Sequence, residues 1–527
     1  MKILGYYCLG HDANICAWDS DTGDYQVLEL ERLFGTRHFH IDIKDRERFL
    51  SITKRCLETL RIAFGVENDF DLLCLPYPQY SSQVFPVEEI IRFRTVRYFH
   101  HQAAHAAVAH FQSPFSESLI LSYHGGGDDG FFNVFLGMDK GVTEVYRSSL
   151  NLGNYSRISR AIYALRETRQ PLSLPGKAMG LAGYGVPQKD WFSTIEALYR
   201  GESNSIAAKL AERLPEAATE ARSADLAATN QKVFESLLLE EMEPVLAQYP
   251  ELPLCISGGC ALNICANELL RIRFGRQMYV PPNPSDSGLA TGYVLLANPP
   301  KYHVNVAYAG LPLLDGASLQ TYVREWGAQV CTPRDLAHLL YRGKIVGLCL
   351  DRSECGPRAL GNRSILCDPS RAEMKDTLNS RIKHRESFRP FAAVVRTEDV
   401  DRFFEVAHGE VDLSYMAFNP KVRGSWRLKL PALTHVDDTV RIQTVSRAQH
   451  PFLYDVLSEF AKLSGYGVLI NTSFNTHGKP MVASIEEALE ILSRGSLDCI
   501  CIDRFLFHGR SIGTISDLGL PSASEVL

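Results

Sequence analysis

The 527-residue chain has no apolar run long enough to cross a bilayer, so it is not expected to be a helical membrane protein. It also has no Cys-x-x-Cys pair. Its 13 cysteines are scattered and odd in number, which fits reduced thiols in a cytoplasm better than a disulfide framework. There is no excess of positive charge: a net charge of −6 gives no electrostatic basis for tight, non-specific nucleic-acid binding. The opening Met1-Lys-Ile-Leu-Gly-Tyr-Tyr-Cys-Leu-Gly10 is too short for a signal core and ends in His11-Asp12. No internal repeat or low-complexity tract is evident. What remains is an ordinary globular composition, 45% hydrophobic and 22% charged. The length is too great for one core and predicts two domains, near residues 1–315 and 330–527.

Several strand-like runs end in glycine-rich turns. Ile3–Tyr7 leads through Gly10-His11-Asp12-Ala13 to a return strand, Ile15–Trp18. Ser118–Ser122 leads through His124-Gly125-Gly126-Gly127-Asp128-Asp129 to Phe131–Leu136. Leu254–Ser257 breaks at Gly258-Gly259 and enters a helix past Asn263. Two such hairpins followed by a strand-Gly-Gly-helix element resemble the actin-like, ribonuclease H-like ATPase fold, in which hairpins of this kind hold phosphates. Further on, Val233 to Leu246 carry an apolar helical stripe, with Pro244 expected to bend or end the helix. Pro333–Tyr341 reads as a helix, Lys344–Leu350 and Gly467–Ile470 as strands, and Ser484-Ile-Glu-Glu487 as a capping box.

Two constellations carry chemistry. His101 and His105, four apart in an alanine-rich stretch, share one face of a helix and can reach one divalent metal; a purely structural pair is the alternative. His124, at its turn, and Asp286, in Pro282-Asn-Pro-Ser-Asp-Ser-Gly288, are further candidate ligands, although Asp286 also suits a helix N-cap. Imidazole with carboxylate and no thiolate suits iron(II), manganese or zinc. The second constellation is basic: Arg358, Arg363, Lys383, Arg385 and Arg389, interleaved with Phe388, Phe391 and Leu360. Arginines held at turns are prepared for bidentate binding of phosphate or carboxylate. Arg441, Gln443, Asn471, Ser473 and Asn475 add polar groups, and together they describe an anion pocket for a phosphorylated substrate.

Longer motifs join these pieces. Gly356-Pro-Arg-Ala-Leu-Gly361, Lys383-x-Arg-Glu-x-Phe-Arg-Pro-Phe391 and Asn471-Thr-Ser-Phe-Asn475 resemble the C-terminal half of the O-carbamoyltransferases, the group of the tobramycin, cephamycin, novobiocin-type and nodulation-factor enzymes. Gly10-His-Asp-Ala13, His100-His101-x-x-x-His105-Ala106, Gly176-Lys177 through Gly185 and Ser257-Gly-Gly-Cys-Ala-Leu-Asn263 follow the N-terminal half in order. The resemblance implies an α/β YrdC-like C-terminal domain that forms carbamoyl-adenylate from ATP, with its magnesium, and carbamoyl phosphate. Arg358, Lys383, Arg389 and Ser473 would hold the phosphates. It further implies an actin-like N-terminal domain, similar to the universal tRNA threonylcarbamoyl transferase. There a metal, iron(II) by this likeness, sits on His101, His105, the position of His124, and Asp286. An acceptor hydroxyl on a small natural product then takes the carbamoyl group with His11 as base. Gly125, Gly126, Lys177, Gly258, Gly259 and Asn263 are expected on the substrate or nucleotide side. The expected partners are small molecules, with no nucleic acid or membrane, and the chain is a monomer or homodimer.

The chain departs from that pattern where the group usually has aspartate and this sequence has His124, with Asp128 and Asp129 near enough to substitute, and at Asp438, where glycine is common. The rival readings are an actin-fold kinase or ATPase, which would release ADP, and a tRNA threonylcarbamoyl-type transferase.

Overall fold

A computed structural model describes residues 1–78, 86–201, 205–406 and 411–509. The chain forms two compact units. One comprises Met1–Leu30 with His38–Ala307, and the other comprises Glu31–Arg37 with the chain from Tyr308 onward.

The first unit holds two five-stranded sheets. In one, β1 (Lys2–Tyr7) pairs antiparallel with β2 (Asn14–Asp19), which pairs antiparallel with β3 (Tyr25–Glu29). On the other side β1 lies parallel to β4 (Phe70–Pro76), and β4 parallel to β5 (Phe93–Phe99), giving the order β3-β2-β1-β4-β5. The second sheet repeats this plan. Its centre is β6 (Ser118–Tyr123), antiparallel to β7 (Phe132–Met138), which is antiparallel to β8 (Gly141–Ser148). β6 is parallel to β9 (Leu254–Ser257), and β9 to β10 (Met278–Tyr279). Two sheets of one topology are the duplicated arrangement of the actin-like ATPase fold. The duplication lies in the backbone pairing, which tolerates almost any side chains of the right period, and this is why no repeat is visible in the sequence.

Two buried helices, His101–Gln112 and Leu289–Ala297, pack against each other, the first on β6 and the second on β1. Close backbone approach makes this possible. A Cβ on Gly292 would fall 2.4 Å from the Ala104 carbonyl oxygen, and one on Gly5 would fall 2.3 Å from that of Ala290. The long helix Ser223–Gln248 continues past Pro244, which does not end it. Val245 and Leu246 are buried beyond the proline, and their packing outweighs the one hydrogen bond that it removes.

The second unit is built on one eight-stranded mixed sheet. Its strands are β11 (Gln329–Val330), β12 (Val346–Cys349), β13 (Arg363–Cys367), β14 (Ala392–Arg396), β15 (Arg441–Val445), β16 (Val468–Ser473), β17 (Cys499–Ile502) and β18 (Phe505–His508). They lie in the order β11-β18-β17-β12-β13-β16-β14-β15. The helices Pro333–Tyr341 and Pro451–Ser464 pack on each other, and Leu336, Leu340, Leu453 and Leu457 join Leu348 and Leu469 in the core. The first of these helices opens with a complete capping box, Thr332 with Asp335. At Ser484 the box is only half made. The Ser484 hydroxyl accepts from Glu487 N–H, but the Glu487 carboxylate reaches back one residue further, to Ala483 N–H at 2.8 Å. Asp438 takes φ +66°, the left-handed region that a glycine occupies without strain, and is held by Arg427 at 2.6 Å.

Among the described residues no helix is long and apolar enough to cross a membrane.

Candidate functional site

In the first unit, His101 and His105 stand one turn apart on their helix, with Nε2 atoms 3.1 Å from each other. His124 follows β6, and Asp286 opens the short 3-10 turn Asp286–Gly288 ahead of the helix Leu289–Ala297. Asp286 is therefore not an N-cap; its side chain turns inward. Its Oδ1 lies 2.9 Å from His124 Nε2 and 3.5 Å from the Nε2 atoms of both His101 and His105. One ligand atom from each of the four residues lies within 4.8 Å of all the others. Neighbours missed in the sequence hold the carboxylate still: Tyr7 OH donates to its Oδ2 at 3.0 Å, and Asn14 Nδ2 donates to its carbonyl at 2.8 Å. A tyrosine and an asparagine inside two strands give no local signal of such a role.

The protonation pattern suits a cation. Burial pushes His101 well below the ordinary imidazole range and lowers His105, the attraction of Asp286 notwithstanding. Burial works against ionisation of Asp286 as well, but the charges of His124, His11 and His101 hold its carboxyl well below the usual range. Its Oδ1 is buried yet accepts no well-aligned hydrogen bond. Neutral imidazoles at His101 and His105, an ionised carboxylate and a buried oxygen without a well-aligned donor fit a divalent ion of borderline softness. Against burial, Asp286 raises the His124 pKa, so that ligation by His124 would displace a proton. His124 Nδ1 lies 2.8 Å from the Gly126 carbonyl, which orients the ring and turns Nε2 toward Asp286 and the cluster.

Other glycines near the turn serve by the space they leave open. Gly258 has φ +91°, and a Cβ there would strike the Tyr123 carbonyl oxygen at 2.1 Å. Gly259 faces the His124 ring, with Cδ2 at 2.8 Å from its ideal Cβ position. Gly125 passes so close to Gly153 that a Cβ on the latter would meet the Gly125 Cα at 2.2 Å.

Asp128 and Asp129, considered in the sequence as substitute ligands, have another task. Asp128 Oδ1 accepts from His101 N–H at 3.0 Å, and Asp129 accepts from Gln102 and Ala103 N–H at 2.8 and 3.3 Å. They cap the helix that carries both histidines, so the turn after His124 fixes the other half of its own cluster. His100 pairs with Asp128 at 2.5 Å and stays outside the cluster.

His11 lies beside the cluster, its Nδ1 2.8 Å from Asp12 Oδ2 and 3.8 Å from Asp286 Oδ2. The other Asp12 oxygen meets His38 Nδ1 at 2.9 Å. Burial alone would lower the His11 pKa, but Asp286 and Asp12 bring it up to about 9. Two further expected residues of this unit have partners within the fold. Lys177 Nζ donates to Thr168 Oγ1 at 3.0 Å. Asn263 caps the helix Ile264–Phe274 and donates to Gln231 Oε1 at 3.1 Å.

In the second unit the basic residues divide into structural and unpaired groups. Arg363 is fully buried and donates to the carbonyls of Leu350, Asn362 and Asp351, so it is a pin inside the fold rather than an anion ligand. Arg358, Arg389 and Arg441 form no salt bridge among the described residues, and Arg441 Nε is buried without a partner. Burial first, and then Arg37 and Arg389, lower Arg358 to about 10; burial and Arg389 take Arg385 to about 9. Lys383 ends a π-helical turn, Asn379–Lys383, and is followed by His384 at φ +42°. Its buried ammonium donates to the Ser473 carbonyl, to Asn475 Oδ1 at 2.8 Å, to the Asn475 carbonyl at 3.2 Å and to Ser473 Oγ at 3.3 Å. Even so, burial and three arginines push its pKa well below the usual lysine range.

Asn471 and Gln443 fix the loop that carries Arg358. Asn471 Nδ2 donates to the Ala359 carbonyl at 3.1 Å and to Gln443 Oε1 at 2.7 Å, and Gln443 Nε2 donates to the Leu360 carbonyl at 2.8 Å. Glu354, which no sequence signal marked, accepts from Leu360, Asn362 and Arg363 N–H at 2.6, 2.8 and 3.1 Å. A buried carboxylate with three donors is a strong clamp on that turn.

Residues 87–295 match the family described as Carbamoyltransferase N-terminus, and residues 337–508 match Carbamoyltransferase C-terminus. Nodulation protein NolO of Bradyrhizobium diazoefficiens is 31% identical over 437 residues, 78% of this chain and 79% of that one. Nodulation protein NolNO of Sinorhizobium fredii is 32% identical over 448 residues, 79% of this chain and 64% of that one. Among solved structures, full-length HypF in its phosphate- and nucleotide-bound form is similar over 56% of this chain and 55% of its own, at 13% identity and a TM-score of 0.35. With both family segments in order and a relative aligned over most of its length, the chain belongs to the carbamoyltransferase family and is a transferase enzyme.

Proposed function

We propose that the protein is an ATP-dependent O-carbamoyltransferase with two chemical sites, one in each unit. The observation that carries this is the second unit's cationic cluster: Arg358, Lys383, Arg385, Arg389 and Arg441 repel one another, and among the described residues Glu386 is the carboxylate whose charge offsets them. Like charges gathered around a buried ammonium and only partly open to water are costly, and a ligand rich in phosphate oxygens offsets that cost on binding. ATP with its magnesium and carbamoyl phosphate are such ligands. Water cleaves the phosphorus–oxygen bond of carbamoyl phosphate and releases phosphate. The freed carbamate oxygen attacks the α-phosphorus of ATP, pyrophosphate leaves, and carbamoyl-adenylate results. Arg358, Arg389 and Arg441 hold the phosphates. Ser473 and Asn475 aim Lys383, whose ammonium regains full charge beside an anion.

In the first unit a hydroxyl of a natural-product acceptor attacks the carbamoyl carbon, and AMP leaves with the pair of electrons from the broken carbon–oxygen bond. A cation held by Asp286 would cancel the strongest pull that raises the His11 pKa, and the neutral ring then takes the hydroxyl proton on Nε2 while Asp12 holds its Nδ1–H. His101, His105, His124 and Asp286 would hold a divalent ion, iron(II) by the family resemblance, which when bound supplies Lewis-acid polarisation of carbonyl and phosphate oxygens.

The test is an incubation with ATP, labelled carbamoyl phosphate and a set of hydroxylated acceptors, following nucleotide products. Pyrophosphate and AMP that depend on carbamoyl phosphate support the proposal. ADP as the sole nucleotide product overturns it in favour of a kinase.

A further inference from the structure

The segment Glu31–Arg37 belongs by its packing to the second unit, although the chain on either side of it lies in the first. Arg32 is the anchor. Its buried guanidinium donates to the Glu354 carbonyl, and at 2.8 Å to that of Gly356, two residues before Arg358. The segment then turns back on itself: Thr36 N–H donates to the Glu31 carbonyl at 3.0 Å across Gly35, which has φ +60°. The turn ends at Arg37, half-buried and without a salt bridge or hydrogen bond among the described residues. Its charge reaches Arg358, Lys383 and Arg389, lowering the pKa of each in addition to the effect of burial.

We propose that Arg37 is a phosphate-binding residue of the second unit's anion site, delivered to it by the Arg32 anchor. This deepens the proposed function, because the ligand it contacts is a phosphoryl group of one of the two substrates. A fold that brings a sixth cation to a cluster already short of carboxylates, and that anchors it through backbone carbonyls rather than through its own charge, leaves that guanidinium for a ligand. The oxyanion is either the phosphate of carbamoyl phosphate or the polyphosphate of ATP, and the two sources are separable by experiment.

The full-length protein and its Arg37→Ala, Arg37→Lys and Arg389→Ala variants are titrated calorimetrically with carbamoyl phosphate, with ATP and with inorganic pyrophosphate. Arg37→Ala is expected to weaken one of these by about 10- to 100-fold, the usual worth of a hydrogen bond to a charged group. Arg37→Lys, which keeps the charge but not the fork, is expected to recover part of the loss. Loss toward ATP and pyrophosphate assigns the polyphosphate, and loss toward carbamoyl phosphate assigns that substrate. Unchanged affinity for all three probes, in a variant with wild-type thermal stability and in a site that Arg389→Ala does weaken, overturns the proposal. Failure of the proposed function is distinguishable from this. A protein that forms no AMP but binds pyrophosphate through Arg37 refutes the reaction and keeps the site, whereas pyrophosphate-forming catalysis with Arg37→Ala binding normally does the reverse.

Discussion

His124 stands where an aspartate is expected from the family resemblance, and its environment explains how an imidazole is accommodated. Gly259 makes room for the ring, and the Gly126 carbonyl orients it. Exchanging a carboxylate for a neutral imidazole raises the charge of the loaded site by one unit, which favours anionic ligands nearby. His124→Ala is expected to lower metal affinity about tenfold or more, by the measure of perturbed ligand shells, read by metal analysis after dialysis against a competing chelator. Gly259→Ala is expected to reproduce much of that loss while keeping the four residues, because its Cβ would press on the His124 ring at 2.8 to 2.9 Å. Unchanged metal content in both variants would reduce His124 to a turn residue.

At the scale of elements, helix ends serve the sites as much as they serve stability. Asp128 and Asp129 begin the helix of His101 and His105, while His450 begins the helix Pro451–Ser464 by accepting Leu453 N–H on Nδ1 at 3.1 Å. The His450 Nε2 then lies 2.9 Å from Asn362 Oδ1, and the ring covers Gly361 at φ +126°, at the end of the Arg358 loop. Burial pushes this imidazole below its ordinary range, against the pull of Glu354. The sign of the linkage follows. The folded imidazole stays neutral while the unfolded one gains a proton below its usual pKa of about 6.5, so this stabilising contribution is present above that pH and is lost as pH falls below it. The loss approaches about 1.4 kcal/mol per pH unit until the folded group also titrates. Urea unfolding at pH 7.5 and 5.5, each value a chosen condition about one unit from that pKa, is expected to show a smaller difference in His450→Asn than in the parent. An equal difference in both proteins would refute the assignment.

For the whole molecule, the proposed division of labour predicts separable half-reactions. Lys383→Ala is expected to abolish carbamoyl phosphate-dependent pyrophosphate release. His101→Ala is expected to leave that release largely intact and to block the appearance of carbamoylated acceptor. Equal loss of both activities in either variant would contradict the two-site division. The sequence by itself determined the local chemistry: the hairpins with glycine turns, the paired histidines one helical turn apart, and the arginines beside prolines and glycines. Those signals are legible because they depend on short-range geometry, such as a helix period or a turn's backbone angles. Tertiary structure decided what long-range packing alone can settle. It separated Arg363, which pins carbonyls, from Arg358, which has no such partner among the described residues, though both are arginines of one motif. It made Asp128 and Asp129 helix caps, and gave Asp286 Oδ1 to three imidazoles. It also carried Arg37 more than 300 positions along the chain to the Arg358 cluster. The physical reason is common to all four: a side chain's role depends on which partners burial leaves within reach, and sequence neighbours supply few of them.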